Sequence, residues 1–225
     1  MRGLPGHIPV LLALTIIALT SFISVRAQVR ENEILDHHLH VVTIREPGLI
    51  LALTGIANDN GLPIGLEVAA AQPESPGREI NLTLENTTLR DVLNEIVKQD
   101  PRYRWISNRG VIYVYPATDR DPLLQDLLAT NLSEFTVERD CTTYALRSRI
   151  LELPEIKAKL ARAKVSPFVI AWRGADRGKL GDGFSPKVAN VTLKSLLDEI
   201  ILRSPQKFWV LNRFGKDNEY VVLNF

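Results

Sequence analysis

Shifted by 104 residues, the chain falls on itself without a gap. Residues 49–109 align with residues 153–213, most densely where 86–109 meet 190–213. There Asn86, Thr88, Leu89, Leu93, Glu95, Ile96, Pro101, Trp105, Asn108 and Arg109 are identical to Asn190, Thr192, Leu193, Leu197, Glu199, Ile200, Pro205, Trp209, Asn212 and Arg213. Ten identities in 24 positions, two of them the uncommon Trp and Pro, mark a true internal repeat. Farther out, Leu49/Leu153, Ala57/Ala161, Pro63/Pro167 and Gly77/Gly181 coincide at the same offset. A repeat limits the fold sharply, because each copy must be the same supersecondary unit.

The matched positions describe that unit. Leu89, Val92, Leu93, Ile96 and Val97 form the stripe of an amphipathic helix, and Leu193, Leu196, Leu197, Ile200 and Ile201 repeat it. Thr88 and Asp91 predict a capping box at the start of the first helix. Its counterpart keeps Thr192 but has Ser195 in place of the acid. Pro101 and Pro205 stand where each helix must stop. An alternating strand precedes each helix (Ile80, Leu82, Leu84; Phe184, Pro186, Val188), and a hairpin follows. The first hairpin turns at Asn108-Arg109-Gly110 and the second, longer one around Gly215-Lys216-Asp217-Asn218. Upstream, Leu49, Ala52, Leu53 and Ile56 predict a helix, and Ile64, Leu66 and Val68 a strand. Ile156, Leu160 and residues 168–172 take those places in the second copy. An opening strand is expected near residues 38–44 and 135–146. The fold class is α+β: two tandem β-α-β-β-α-β-β modules, each a small sheet on two helices. The modules span residues 28–116 and 135–225, joined by a linker, 117–134, with a short helix at 123–128.

Residues 1–27 read as an export signal. Arg2 is followed by an apolar run from Ile8 to Ile23 and by Val25-Arg26-Ala27, small or modest residues where a signal peptidase reads. The run falls short of the ~20 apolar residues that span a bilayer. Retention as an anchor is the competing reading, and no transmembrane span is expected once the signal is cleaved. Without Arg2 and Arg26 the chain holds 25 basic and 26 acidic residues. Cys141 is the one cysteine, so no intramolecular disulfide or thiol metal cage can form; it is expected to act as a small buried hydrophobe.

The stretch 80–116, with Thr-Leu opening a helix, then Trp105, then Gly110-Val-Ile-Tyr-Val-Tyr-Pro116, resembles the secretin and TonB-receptor N-terminal short domain and related secretin N-modules. The likeness covers residues 38–116 well and 135–225 less well. It implies two periplasmic docking modules that contact an envelope protein such as a receptor, a secretin or a signalling regulator. With some 200 residues taken up by two modules, the transport barrel or secretin pore of that family is not expected, and only docking carries over.

No residue pattern announces catalysis. A Gly-x-Ser-x-Gly elbow, a phosphate loop and a zincin helix are all missing from the sequence. His37, His38 and His40 cluster behind Asp36, but no further ligand is spaced to complete a metal site, and none is expected. No cofactor is expected either. Glu95 and Glu199 read as solvated helix charges, Trp105 and Trp209 as core filling, and Arg109 and Arg213 as exposed turn residues. Charge divides unevenly: residues 49–116 carry 6 basic and 8 acidic side chains, residues 141–225 carry 15 and 8. Arg147, Arg149, Lys157, Lys159, Arg162, Lys164, Arg173, Arg177 and Lys179 form a candidate partner-binding set on the second module. The expected function is that of an exported, non-enzymatic docking protein, periplasmic or secreted, whose second module makes the main contact. The alternative is binding of an anionic envelope polymer or lipid by that basic module. Export argues against a nucleic-acid partner. N-terminal sequencing of the exported protein should begin at or within a few residues of Gln28; an intact Met1 in a membrane fraction would instead identify an anchor.

Overall fold

The computed structural model describes residues 34–69, 78–137, 141–168, 187–215 and 217–225. The signal segment, Gly77, Gly181, Phe184, Pro186, residues 169–172 and three of the basic set (Arg173, Arg177, Lys179) lie outside them. The chain is α+β. Its first half runs β1 (His38–Glu46), α1 (Leu49–Asn60), β2 (Ile64–Glu67), β3 (Ile80–Thr88), α2 (Leu89–Gln99), β4 (Tyr103–Asn108) and β5 (Val111–Pro116), in the order the repeat implies. The α2 start is a complete capping box: the Asp91 N–H donates to Thr88 Oγ1, and the Thr88 N–H donates back to Asp91 Oδ2. The Thr88 hydroxyl, which donates to Asp91 Oδ2, and then the Thr88 N–H hold the Asp91 carboxyl below the ordinary carboxylate range.

The second half runs α3 (Pro122–Leu128), β6 (Asn131–Thr136), α4 (Thr143–Leu151), α5 (Pro154–Ala163), β7 (Ser166–Pro167), β8 (Lys187–Thr192), α6 (Leu193–Arg203), β9 (Phe208–Phe214) and β10 (Tyr220–Asn224). Among the described residues it departs from the expected unit at the opening strand, and its β7 lies at Ser166–Pro167, ahead of the expected 168–172. The opening strand ends at Thr136, and residues expected to extend it form α4, whose first turn Thr142 caps by accepting from the Ala145 N–H. The expected linker is also not a separate piece. Asp121 caps α3, Pro122 occupies its first turn, and Leu124, Leu127 and Leu128 are buried in the second core.

The ungapped offset of 104 holds only downstream. Upstream, α1 ends at Gly61 and α5 at Lys164, both with left-handed backbone. Beyond them the Leu62 N–H donates to the Ala57 carbonyl, as the Val165 N–H does to that of Leu160. Those pairs are 103 apart. Pro63 therefore corresponds to Ser166, and Pro167 occupies the place of Ile64. The identities at Leu49/Leu153, Ala57/Ala161 and Pro63/Pro167 are coincidences of an alignment that lacks a one-residue gap.

The two copies do not keep separate sheets. Six strands form one mixed sheet in the order β4-β5-β2-β9-β10-β7, and β2 of the first copy pairs in parallel with β9 of the second. Because β4 is antiparallel to β5, and β5, β2 and β9 all run parallel, β4 and its repeat counterpart β9 point in opposite directions. The second copy is thus displaced across the sheet and turned over. Each copy covers a different face. On one lie α1, α2 and the β1–β3 ribbon, over Ile64, Leu66, Ile112, Val114, Phe208 and Val210. On the other lie α3 to α6 and the β6–β8 ribbon, over Val111, Tyr113, Trp209, Leu211, Val221 and Leu223. Each core therefore contains strand residues from the other half.

Several repeat identities now have a cause. Asn86 and Asn190 each stand at the one position where the ribbon pairing is interrupted, with positive φ (46° and 54°), a backbone region that Asn tolerates better than most side chains. Trp105 Nε1 donates to Asn94 Oδ1 at 3.1 Å, and Trp209 Nε1 to Asp198 Oδ1 at 3.0 Å, so each indole tethers its strand to the helix before it. At the junction, Gly65 lies directly across from Trp209. A Cβ there would fall 2.3 Å from the Trp209 ring. Trp209 is fully buried and tied by its N–H, so it has no room to yield. Gly65→Ala should cost about 1–3 kcal/mol, seen as a lower denaturation midpoint of one cooperative transition, whereas loss confined to one half would show that the halves unfold separately.

Candidate docking surface

Among the described residues the sheet ends at β4. The Ala117 N–H donates to the Arg102 carbonyl, which fixes the direction of every later residue: Arg104 and Ile106 turn their backbone groups to β5, and Tyr103, Trp105 and Ser107 turn theirs to the open side. The Tyr103 N–H is taken by the Asp100 carbonyl in the preceding turn. Among the described residues no strand pairs with the other backbone groups along that edge.

The same edge of the second copy is filled. Ile64 N–H donates to Lys207 O at 2.8 Å and Val68 N–H to Leu211 O at 3.0 Å, and Trp209 lies between them. Lys207, Trp209 and Leu211 correspond to Tyr103, Trp105 and Ser107. The side chains record the difference. Trp209 is fully buried and Val210 is 5% exposed, whereas Trp105 is half-buried and Ile106 is 47% exposed. Phe208 is replaced by exposed Arg104. Ser107 Oγ is buried without a hydrogen-bond partner. Sequence reasoning placed Trp105 in the core alongside Trp209. The shared fold makes them equivalent, but only Trp209 has a neighbouring strand over it.

The basic set on the second copy divides. Arg149, Lys157, Arg162 and Lys164 are exposed on α4, α5 and the α5 cap, with Lys157 paired to Glu152. Lys159 is half-buried and bonded to the Asp126 carboxylate and carbonyl. Arg147 does not belong to the surface. It is 2% exposed, donates to Asn224 Oδ1 and lies over the Tyr144 ring. Its position on the inner stripe of α4 with Leu146 and Ile150 puts it there. Arg213 is likewise not an exposed turn residue. Its Nη1 donates to Asp121 Oδ2 at 2.9 Å, and its Nε and Nη2 donate to the Asn218 carbonyl, so it ties the second hairpin to the α3 cap. Arg109, with φ 54°, does occupy an exposed tight turn before Gly110. Glu95 and Glu199 pair with Lys98 and Arg203 along their helices. Cys141 is half-buried beside the second core.

His37, His38 and His40 are all exposed at the start of β1. Among the described residues, no three His, Cys, Asp or Glu side chains converge as a metal site. No described helix is long and apolar enough to cross a membrane.

One polar cluster went unread in the sequence. The Glu67 carboxylate is fully buried on β2 and holds both Arg120, which approaches with Nε at 3.1 Å and with Nη2, and the Tyr113 hydroxyl, which donates to Oε2. Burial and the adjacent carboxylate push the Tyr113 hydroxyl well above its ordinary pKa, so it stays protonated as a donor. Lys194 Nζ lies 4.6 Å from the centre of the Tyr113 ring and pairs with Asp198, the acceptor of the Trp209 indole. This chain of contacts runs from the first copy through the linker to α6. Its members come from four elements distant in sequence, and no local motif marks them. No protein-family model and no curated protein sequence matches this chain.

Arg120→Met should cost about 3 kcal/mol, the lower end of the range for stranding one partner of a buried pair, because Arg120 keeps a third of its side chain in solvent. Chemical denaturation measures it, and a near-neutral result would mean that Tyr113 alone satisfies Glu67.

Proposed function

We propose that this chain is an exported docking protein of the bacterial cell envelope, acting by protein–protein contact without a reaction of its own. Each half is taken as a module of the secretin and TonB-receptor short-domain type, as the sequence resemblance implies. The observation that carries the reading is the open β4 edge. The fold seats a strand against the equivalent edge in its own second half, and the first half presents the same backbone groups with a half-buried Trp105 and an exposed Ile106 beside them. This reading puts the main contact on the first module, in place of the charge-based expectation of the basic second module.

A second reading is favoured by a separate observation. Arg149, Lys157, Arg162 and Lys164 stand exposed on one helical pair, a surface suited to an anionic wall polymer or lipid headgroup. One experiment separates the two. A photo-cross-linking amino acid is placed at Ile106 in one variant and at Arg162 in another, and intact envelopes are irradiated. A discrete protein adduct from position 106 is the expected result. If neither position gives a protein adduct, while the chain sediments with isolated wall or anionic vesicles and the variant Lys157→Glu/Arg162→Glu/Lys164→Glu does not, the polymer or lipid reading replaces it.

A further inference from the structure

The β2–β9 junction specifies more than an open edge; it is a template for what fits there. We infer that β4 binds an extended segment of a separate protein as a seventh, parallel strand, with an acidic residue beside Arg104, a glycine across from Trp105 and an aliphatic residue beside Ile106. The inference rests on the docking reading above and names its occupant.

The register of the junction supplies the pattern. On β9, Ile64 lies beside Phe208, Gly65 across from Trp209 and Leu66 beside Val210. Carried to the repeat-equivalent strand, those three positions meet Arg104, Trp105 and Ile106. A side chain at the central position would strike the indole, as a Cβ on Gly65 would strike Trp209, so glycine is required there. Trp105 is held in the same orientation by its N–H bond to Asn94, as Trp209 is by Asp198. The first position differs because exposed Arg104 replaces buried Phe208, which favours a carboxylate over an aliphatic chain. The third keeps its apolar character, since Ile106 replaces Val210.

A second copy of this chain is a poorer occupant. The operator that relates the two halves, repeated once more, would bring β7 of one molecule to β4 of the next. In β7 the place of Ile64, whose N–H donates across the junction, is held by Pro167, which has no N–H to give. The adjacent residues Ser166 and Phe168 direct their N–H groups to Glu219 and Val221 of the chain's own β10 side. Proline at that position blunts head-to-tail growth while β4 stays open to another protein.

The test uses the full exported chain and a synthetic probe, the capped octapeptide of residues 62–69 carrying Ile64→Glu. Binding is followed by Trp fluorescence, with Trp105→Phe as the variant that removes the local reporter. In the template the N–H groups of residues 64, 66 and 68 face the accepting strand, and that of Gly65 faces away. N-methylation at Leu66 of the peptide should therefore weaken binding at least tenfold, and N-methylation at Gly65 less than twofold. Gly65→Val in the peptide should abolish binding, and Ser107→Pro in the protein should weaken it at least tenfold. The peptide modifications decide the matter even if the proline variant fails to fold. Equal effects of the two N-methyl groups, no saturable binding, or a concentration-dependent dimer that excludes the peptide would overturn the inference. An envelope adduct at position 106 without the N-methyl pattern would leave docking intact and reject the strand geometry; the N-methyl pattern without an adduct would do the reverse.

Discussion

The parallel pairing of β2 with β9 is the contact on which the other features of this molecule depend. Four short strand residues, Ile64 to Glu67, complete the sheet of the first half and begin that of the second. Neither three-stranded set is large enough to bury both of its faces alone. Joined, they give each set of helices a wider floor, and Phe208 and Val210 enter the first core while Val111 and Tyr113 enter the second. The two halves thus share one sheet and contribute to each other's cores, although the sequence reads as two modules. The junction also sets narrow terms for its residues. Glycine is needed at 65 because the indole lies across from it, and the acid at 67 is acceptable only because Arg120 and Tyr113 converge on it.

Turning the second copy over explains how a repeat can have unequal halves. A simple side-by-side array would put both sets of helices on one face and leave the other bare. The inversion covers both faces, so β2 is buried along its whole length and β5 reads as a nearly continuous apolar run. The second half then carries more covering material, with α3 and α4 added to the two shared helices. The linker helix is recruited for this purpose. Leu124 and Leu127 are fully buried, and Arg213 clamps the α3 cap to the second hairpin.

The local layer of this structure was legible in the sequence because its causes are local. The helix stripes, the Thr88–Asp91 box, the tight turn before Gly110 and the order of elements all depend on residues within a few positions of one another. The shared sheet was not legible, since strand pairing between copies leaves no period in the sequence. One trace did exist: Gly65 sits between Ile64 and Leu66 in the interior of a strand, a sign of close approach by another group. Arg147 and Arg213 were misplaced for the same reason. Counting charges along a chain cannot tell a solvated arginine from one turned inward on a helix stripe or clamped to a cap a hundred residues away in sequence.

The repeat also makes the candidate surface interpretable from within the molecule. An open edge in a single-copy protein says only that backbone groups are unpaired, and many edges are simply tolerated. Here the same strand occurs twice, once filled and once open, and the two can be compared side chain by side chain. Where the filled copy has Phe208, Val210 and Leu211, all buried, the open copy has exposed Arg104 and Ile106 and half-buried Ser107. Two of those three changes are toward polarity, and Arg104 is the one that solvent exposure explains. Ile106 and Trp105 go the other way, keeping an apolar side chain beside an unpaired backbone. At the opposite end of the sheet, β7 (Ser166–Pro167) carries proline at its outward position, which removes one N–H donor from that edge. The two ends of one repeated plan thus differ in chemistry, proline at the outward position of β7 and an apolar Trp105 and Ile106 along β4.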